Sequence, residues 1–153
     1  MAVAYSMTQD SKTSGEQAKC LTLLESAERI FYDRLDDAIR SASMFDETEY
    51  KAFCQGSISF GNKEEAQKKK DIYNGIVSTV DKVVHDNERL ILRLDSLAYA
   101  LNQRSAQNPW DTEVVLAMSK LDAVINKTTQ DIKQDEDISR EAMKRYNNLK
   151  GEI

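Results

Sequence analysis

The sequence contains very few residues of the types that bind metals or act as bases and nucleophiles. It has one histidine, His85, and two cysteines, Cys20 and Cys54. A di-iron bundle needs two Glu-x-x-His pairs, and a hydrolase triad needs a histidine beside its nucleophile. Neither arrangement can be identified, so we expect no catalytic residue, metal or cofactor. The cysteines lack CxxC spacing, and we expect free thiols packed as small hydrophobic side chains.

Glycine and proline are also scarce, and long apolar runs are missing. The five glycines form no cluster before a helix, which argues against a phosphate-binding loop. No stretch approaches the ~18 apolar residues of a membrane-spanning helix. Residues 1–14 lack the basic start and apolar stretch of a signal peptide. We therefore expect a cytoplasmic protein with no membrane span.

Basic residues are not in excess over acidic ones, which is the third absence. The formal net charge is −5 at pH 7. The lysines of KEEAQKKKD, residues 63–71, follow two glutamates and have no aromatic residues between them, which is typical of a solvated helix face. Since nucleic acids and anionic membranes require a basic surface, we expect neither as a partner.

What the chain does contain is a composition typical of helices. Hydrophobic residues make up 41% and charged residues 31%, which favours an all-α protein. We predict a disordered tail over 1–14 and one helical-bundle domain over 15–153. Three helix-start signals support this division: Ser14 with Gln17, Asp46 with Glu49, and Asn108 before Pro109. The predicted helices span about 15–44, 47–55, 63–105 and 109–150.

The first predicted helix is amphipathic. Its apolar positions recur at helical spacing: Cys20, Leu21, Leu24, Ala27, Phe31, Leu35, Ala38, Ile39, Ala42 and Phe45. Phe45 and Tyr50 also stand where a hydrophobic staple would place them at the start of the short second helix.

The two long helices carry heptad patterns whose a and d positions are mostly apolar. A short connection would make them antiparallel, which pairs the following residues: Leu101 with Val114, Leu97 with Met118, Leu94 with Leu121, and Leu90 with Ile125. The sequence therefore predicts an elongated helical bundle. It would consist of a long antiparallel coiled-coil hairpin plus an N-terminal amphipathic helix, giving a three-helix bundle with one short extra helix.

One layer of this seam is polar. The register places Asn87 opposite Thr128, between apolar layers on either side. A buried asparagine in a coiled coil lowers stability but sets register or partner number, so we interpret Asn87 and Thr128 as a register-setting layer. His85 falls on the solvent side of the helix, where one imidazole without neighbours is poorly suited to acid–base chemistry.

Beyond this layer the seam weakens. Asp135 would face Val80, and Ser139 would face Ile76, so a carboxylate and a hydroxyl would meet aliphatic side chains. Four e positions of the first long helix are apolar as well and widen its expected buried face: Val77, Val84, Ile91 and Ala98. The N-terminal helix is the economical cover for this stripe, and a second copy of the chain is the alternative.

These patterns favour a non-enzymatic protein–protein interaction module, such as a scaffold, adaptor or assembly subunit. A small acidic inhibitor or chaperone-like protein that binds a basic partner is the alternative, and a ligand- or metal-carrying bundle is less favoured. We expect a protein partner or a homo-oligomer. Candidate interaction residues lie at the weak end of the seam, in the 46–62 connector and at the turn: Tyr50, Phe53, Phe60, Tyr73, Ile76, Asp135, Ser139 and Trp110.

Overall fold

The described part of the chain is all-helical, which confirms the predicted helical bundle. A computed structural model describes the backbone of residues 2–56 and 63–151, with side chains from Thr13 onwards except 139, 142, 143, 145–147 and 149–151. Within these ranges there are four helices and no β-strand, only an isolated bridge between Ser105 and Asn108. The helices are listed in chain order: α1 Ala2–Ala42, α2 Glu47–Cys54, α3 Lys63–Gln103 and α4 Thr112–Gly151.

Helix α1 begins well before the predicted start near residue 15. It starts at Ala2, within the segment for which a tail was predicted, so Ser14 and Gln17 lie inside the helix. The residues from Ala2 to Ser14 include no proline or glycine. A single interior glycine such as Gly15 costs only about 1 kcal/mol relative to alanine, which is too little by itself to end a long helix.

The signals around α2 match the structure. The Asp46 carboxylate accepts a hydrogen bond from the Glu49 backbone N–H at 2.9 Å, as an N-cap does. The Phe45 and Tyr50 rings lie 5.1 Å apart between centroids, which confirms the hydrophobic staple. Gly56 follows the helix with φ of 69°, a conformation that glycine adopts without steric cost.

The start of α4 differs from the prediction. Asp111, not Asn108, caps this helix, because its carboxylate accepts from the Val114 N–H at 3.0 Å. Asn108 instead belongs to a turn, where its N–H lies 3.3 Å from the Ser105 hydroxyl oxygen. The Ser105 side chain thus holds the chain in a turn for several residues before α4 can begin.

The chain divides into two compact units, and each is described separately. The terminal unit comprises Met1–Ile30 with Leu90–Ile153. Parts of α1, α3 and α4 bury their apolar stripes in its core, so the N-terminal helix contributes to a three-helix core here as expected. The buried side chains of this unit are mostly aliphatic: Cys20, Leu23, Ala27, Ile30, Leu90, Leu97, Ala100, Val114, Ala117, Met118, Leu121, Val124, Ile125 and Thr128.

The central unit comprises Phe31–Arg89 and contains the end of α1, all of α2 and the first part of α3. Its α1 and α3 segments are antiparallel, because later residues of α1 contact earlier residues of α3: Phe31 with Asn87, Arg34 with Asp86, and Phe45 with Tyr73. Ala38, Ile76 and Val83 are buried in this unit.

The structure corrects the face of α3 that was expected to be covered. The apolar e positions are exposed rather than buried, with Val77 at 37% and Val84 at 50%. Asp86 and Ala100, on the opposite edge of the seam, are buried instead. The edge that contains Asp86 and Ala100 also carries Thr79 and Arg93, so apolarity along α3 does not specify which side receives the neighbouring helix; packing of the other elements decides it.

Helix α1 shows the same effect. Cys20, Ala27 and Ala38 are buried as predicted. The stripe that α1 buries otherwise consists of Leu23, Ile30 and Arg34 rather than of the leucines in the predicted set. Several predicted apolar positions are exposed: Leu21, Leu24, Leu35 and Ile39. The apolar surface of α1 is therefore wider than the surface that the helix buries.

Candidate interaction surface

A buried ion pair joins α1 to α3 in the central unit. Arg34 Nη2 donates to Asp86 Oδ2 at 2.8 Å, and the two side chains are only 6% and 9% exposed. Arg34 Nε is buried and has no hydrogen-bond partner among the described residues. Removing water from two charges is costly. The stability of the fold therefore depends on keeping both members, since loss of one leaves the other charge buried without a partner.

Sequence reasoning missed this pair, although a signal for it exists. Arg34 continues the spacing of the buried Leu23, Ala27 and Ile30 along α1. A charged residue in line with an apolar helical stripe indicates a buried charge, which in turn requires an opposite charge on the facing helix. That partner, Asp86, immediately precedes the asparagine that was interpreted as register-setting.

Asn87 is buried beside this pair and contacts the α1 backbone. Its Nδ2 donates to the Phe31 carbonyl oxygen at 3.4 Å, a long hydrogen bond. Thr128 is also buried, as a polar residue of the seam would be; its pairing with Asn87 stays a prediction. His85 is exposed, in agreement with its expected solvent position.

Within the central unit, aromatic rings connect α2 and the residue before its N-cap to α3. The Tyr73 ring lies 5.3 Å from Phe45 and 5.7 Å from Tyr50, measured between centroids, in edge-on arrangements. The Glu49 carboxylate accepts hydrogen bonds from the Tyr73 hydroxyl and from Lys69 Nζ. Two predicted interaction residues, Tyr50 and Tyr73, thus form an internal contact that holds α2 against α3.

The Glu49 carboxylate changes the acid–base properties of its neighbour. The hydrogen bond to Glu49 is the largest cause that raises the pKa of Tyr73 to about 12, followed by burial of the hydroxyl. The hydrogen bonds from Lys69 and Tyr73 lower the pKa of Glu49 in turn. Both shifts stabilise the arrangement of a neutral phenol and a charged carboxylate at neutral pH.

An apolar groove lies between α1 and α3 in the central unit. Ala42 of α1 and Val77 of α3 line a common cavity. Leu35 and Ile39, 38% and 59% exposed, precede Ala42 by seven and three residues, and the exposed Val84 follows Val77 by seven, so they continue the same side of the helix pair. At one end the groove deepens into a cavity of about 220 Å³. We call this surface the α1–α3 groove; the cavity is lined by Ala42, Phe45, Ile76, Val77, Val80 and Asp81.

The turn end of the terminal unit carries a second concavity. Its volume is about 310 Å³, and Cys20, Arg104 and Trp110 are among its lining residues. The guanidinium of Arg104 lies 5.7 Å from the centre of the Trp110 ring, a cation–π distance. Burial raises the pKa of the Cys20 thiol, an effect that the nearby Arg104 charge partly offsets.

The remaining predicted interaction residues are dispersed. Ile76 is buried and contributes to the α1–α3 groove, whereas Phe53 and Trp110 are half-buried. Asp135 is exposed, so water reaches this carboxylate. Phe60 and the side chain of Ser139 lie outside the described residues.

The cysteines correct one expectation. Both thiols are free, as predicted, but only Cys20 is buried, and Cys54 is exposed at the end of α2. A hydrogen bond with Cys54 raises the pKa of Tyr50. Cys54 therefore contributes little to a hydrophobic core.

The described residues contain neither a metal-binding cluster nor a membrane-spanning helix. No group of three or more histidine, cysteine or acidic residues suited to a metal ion occurs in residues 2–56 and 63–151. None of the helices described has the length and apolarity to cross a membrane. Comparison with protein families, curated proteins and solved structures gave no significant match.

Proposed function

We propose that this protein is a non-enzymatic interaction module and that it binds an α-helix of a partner protein in the α1–α3 groove. The observation that supports the proposal is the row of exposed aliphatic side chains on both walls of this groove. Large exposed apolar surfaces bordered by polar residues are typical of interaction sites.

The geometry of the groove suits a helix. Its walls are two antiparallel helices, and Val77 and Val84 are one heptad apart on α3. A helix lying in such a groove presents side chains every three or four residues, which match this spacing. The cavity of about 220 Å³ is smaller than the ~300–1,000 Å³ of typical small-molecule pockets. It is better suited to one or two apolar side chains of a partner.

The alternatives have less support in the described residues. The buried ion pair and the Glu49–Tyr73 contact are engaged in internal bonds. The concavity near Trp110 has fewer exposed aliphatic side chains along its edge. We therefore assign the partner-binding role to the central unit.

The proposal is tested by weakening the groove without disturbing the core. Val84→Ser removes an exposed methyl pair from the groove wall, and Val115→Ser makes the same change at a 40% exposed position on α4. Proteins that bind the unaltered chain and Val115→Ser, but not Val84→Ser, are identified by mass spectrometry. The dissociation constant of each purified candidate is then measured with all three proteins.

We expect Val84→Ser to weaken binding about tenfold, because one desolvated aliphatic side chain at an interface contributes about 1–2 kcal/mol. Circular dichroism should show the same helix content in both variants. Equal binding by the two variants would contradict the assignment of the groove.

A further inference from the structure

The α1–α3 groove has a charged border of one sign. Asp81 and Glu88 each follow an exposed groove valine, Val77 and Val84, by four residues on α3. Residues at this spacing lie one turn apart on the same side of a helix, so the two carboxylates form a row beside the apolar wall. Asp81 also lines the groove cavity itself.

Neither carboxylate of this row is paired within the unit. No ion pair is seen for Asp81 or Glu88 among the residues whose side chains are described. Other acids of the unit are paired internally: Asp37 with Arg40, Glu47 with Lys51, Glu49 with Lys69, Glu64 with Lys68, and Asp86 with Arg34.

Most basic residues of the same unit are paired or lie on other faces. Arg34 and Arg40 are already paired with Asp86 and Asp37. Lys82 and Arg89 lie on the other side of α3 from Val77 and Val84, as their positions on the helical wheel require. Between Val77 and Glu88 the α3 border of the groove therefore carries negative charge, and Lys70, one heptad before Val77, lies beyond the end of this stretch.

This border argues against a second copy of the chain as the occupant. A two-fold axis through the groove would place the row of Asp81 and Glu88 against the same row of the other copy. Like charges in close contact across an interface are strongly unfavourable. An anionic membrane or a nucleic acid would be repelled for the same reason.

We infer that the α1–α3 groove binds a basic amphipathic helix of another protein, one whose apolar stripe is bordered by lysine or arginine. The inference rests on the proposed function, and it adds the charge of the partner. The apolar stripe would enter between Leu35, Ile39, Val77 and Val84, while the basic residues would meet Asp81 and Glu88. Such complementarity raises the association rate and excludes acidic helices.

Three synthetic helical peptides separate charge from shape. The first has a leucine stripe bordered by lysines, the second has the same stripe bordered by glutamates, and the third scatters the leucines of the lysine peptide so that no stripe remains. Binding of each to the full chain is measured by calorimetry at low and at high ionic strength. The lysine-bordered peptide should bind at least about tenfold more tightly than the other two. Its advantage over the glutamate-bordered peptide should shrink as salt screens the charges.

Variants that neutralise carboxylates test which residues attract the lysine-bordered peptide. Asp81→Asn with Glu88→Gln should weaken binding of the lysine-bordered peptide about five- to tenfold, since each exposed charge pair contributes modestly. The matched control, Glu113→Gln with Asp122→Asn on α4, removes the same number of acids from the terminal unit and should leave binding unchanged. Circular dichroism checks that both variants remain folded.

The outcomes distinguish this inference from the proposed function. Equal binding of the lysine- and glutamate-bordered peptides, lost in Val84→Ser, would overturn the basic partner and retain a helix-binding groove. Equal binding of the scattered peptide would show general attraction to an acidic protein and overturn the inference. Failure of all three peptides to bind would also overturn the inference. Self-association of the chain that Val84→Ser abolishes would overturn it as well.

Discussion

The cores of the two units differ in chemistry. The terminal unit buries mainly aliphatic side chains, among which Val114 and Leu121 are fully buried. The central unit places a charged pair, an asparagine and a tyrosine hydroxyl at its helix contacts. Apolar burial is non-directional and tolerates adjustment, whereas polar contacts require both partners in position. The central unit should therefore be more sensitive to the loss of one side chain and should open more readily.

Breaking the ion pair should give the largest effect. Asp86→Ala leaves the buried Arg34 charge without its partner, and we expect a loss of about 3–5 kcal/mol in the free energy of unfolding. Chemical denaturation measures the loss, and hydrogen exchange should place it within Phe31–Arg89. The control replaces both members, as Arg34→Met with Asp86→Leu, and should be neutral or more stable than the original. A cost below about 1 kcal/mol for Asp86→Ala would show that water already solvates the pair.

A cavity in the aliphatic core should give the next largest effect. Leu121→Ala removes a fully buried side chain of the terminal unit and should cost about 3 kcal/mol. Leu116→Ala makes the same change at an exposed position of α4 and should cost about 0.5 kcal/mol or less. If hydrogen exchange showed that Leu121→Ala loosens residues 31–89 as much as the terminal unit, the contrast between the units would fail.

High pH should act on the central unit through Tyr73. Its pKa is raised from about 10 to about 12 in the folded state, so the stabilisation is complete below pH ~10 and is lost as the pH rises through ~12. Tyr73→Phe should lower the free energy of unfolding at neutral pH and should remove this part of the alkaline loss. Among the six tyrosines, ultraviolet titration should show one that ionises near pH 12 in the unaltered chain and is missing in Tyr73→Phe; Tyr50, whose pKa is also raised, should remain in both. Ordinary titration of all six would contradict the Glu49 contact.

Low pH should act on the same contact through Glu49. Because its pKa is lowered in the folded state, its contribution is present above pH ~4.5 and is lost as the pH falls through the lowered value. Glu49→Gln should therefore flatten the acid side of the stability curve. Chemical denaturation over the acid range measures both stability curves.

The smallest effects are expected beside the ion pair. Asn87→Leu loses a long hydrogen bond to Phe31 but gains apolar burial, so stability should change by less than about 1 kcal/mol. If Asn87 sets the register, sedimentation should reveal additional oligomeric species in this variant. His85→Ala, at an exposed position, should alter neither property; a change above about 0.5 kcal/mol would reopen the assignment of His85 to solvent.

The prediction of local structure succeeded where neighbouring residues decide it. The Asp46 cap and the Phe45–Tyr50 contact involve residues a few positions apart, so their spacing was sufficient. The prediction of the α4 cap was wrong because two start signals, Asn108 and Asp111, stand close together. Hydrogen bonds to the Ser105 hydroxyl place the first of them in a turn. The predicted start of α1 was wrong because residues 2–14 mix helix formers such as alanine with serine and threonine, and single-sequence patterns do not separate a tail from a helix in such a segment.

Composition and periodicity by themselves determined that this chain is all-helical, that it bends near Gln107 and that Leu90, Leu97, Met118 and Leu121 belong to a core. These properties follow from spacing along one helix, which the sequence contains in full. Only the tertiary structure decided which edge of each wide apolar stripe is covered, that Arg34 meets Asp86, and that Val77 and Val84 remain at the surface. The reason is that apolarity along one helix does not select the side that receives a neighbour: on α3 the apolar edge with Val77 and Val84 stays exposed, and the edge with Asp86 is covered. The choice is made by the combined packing of all helices, which no single segment encodes.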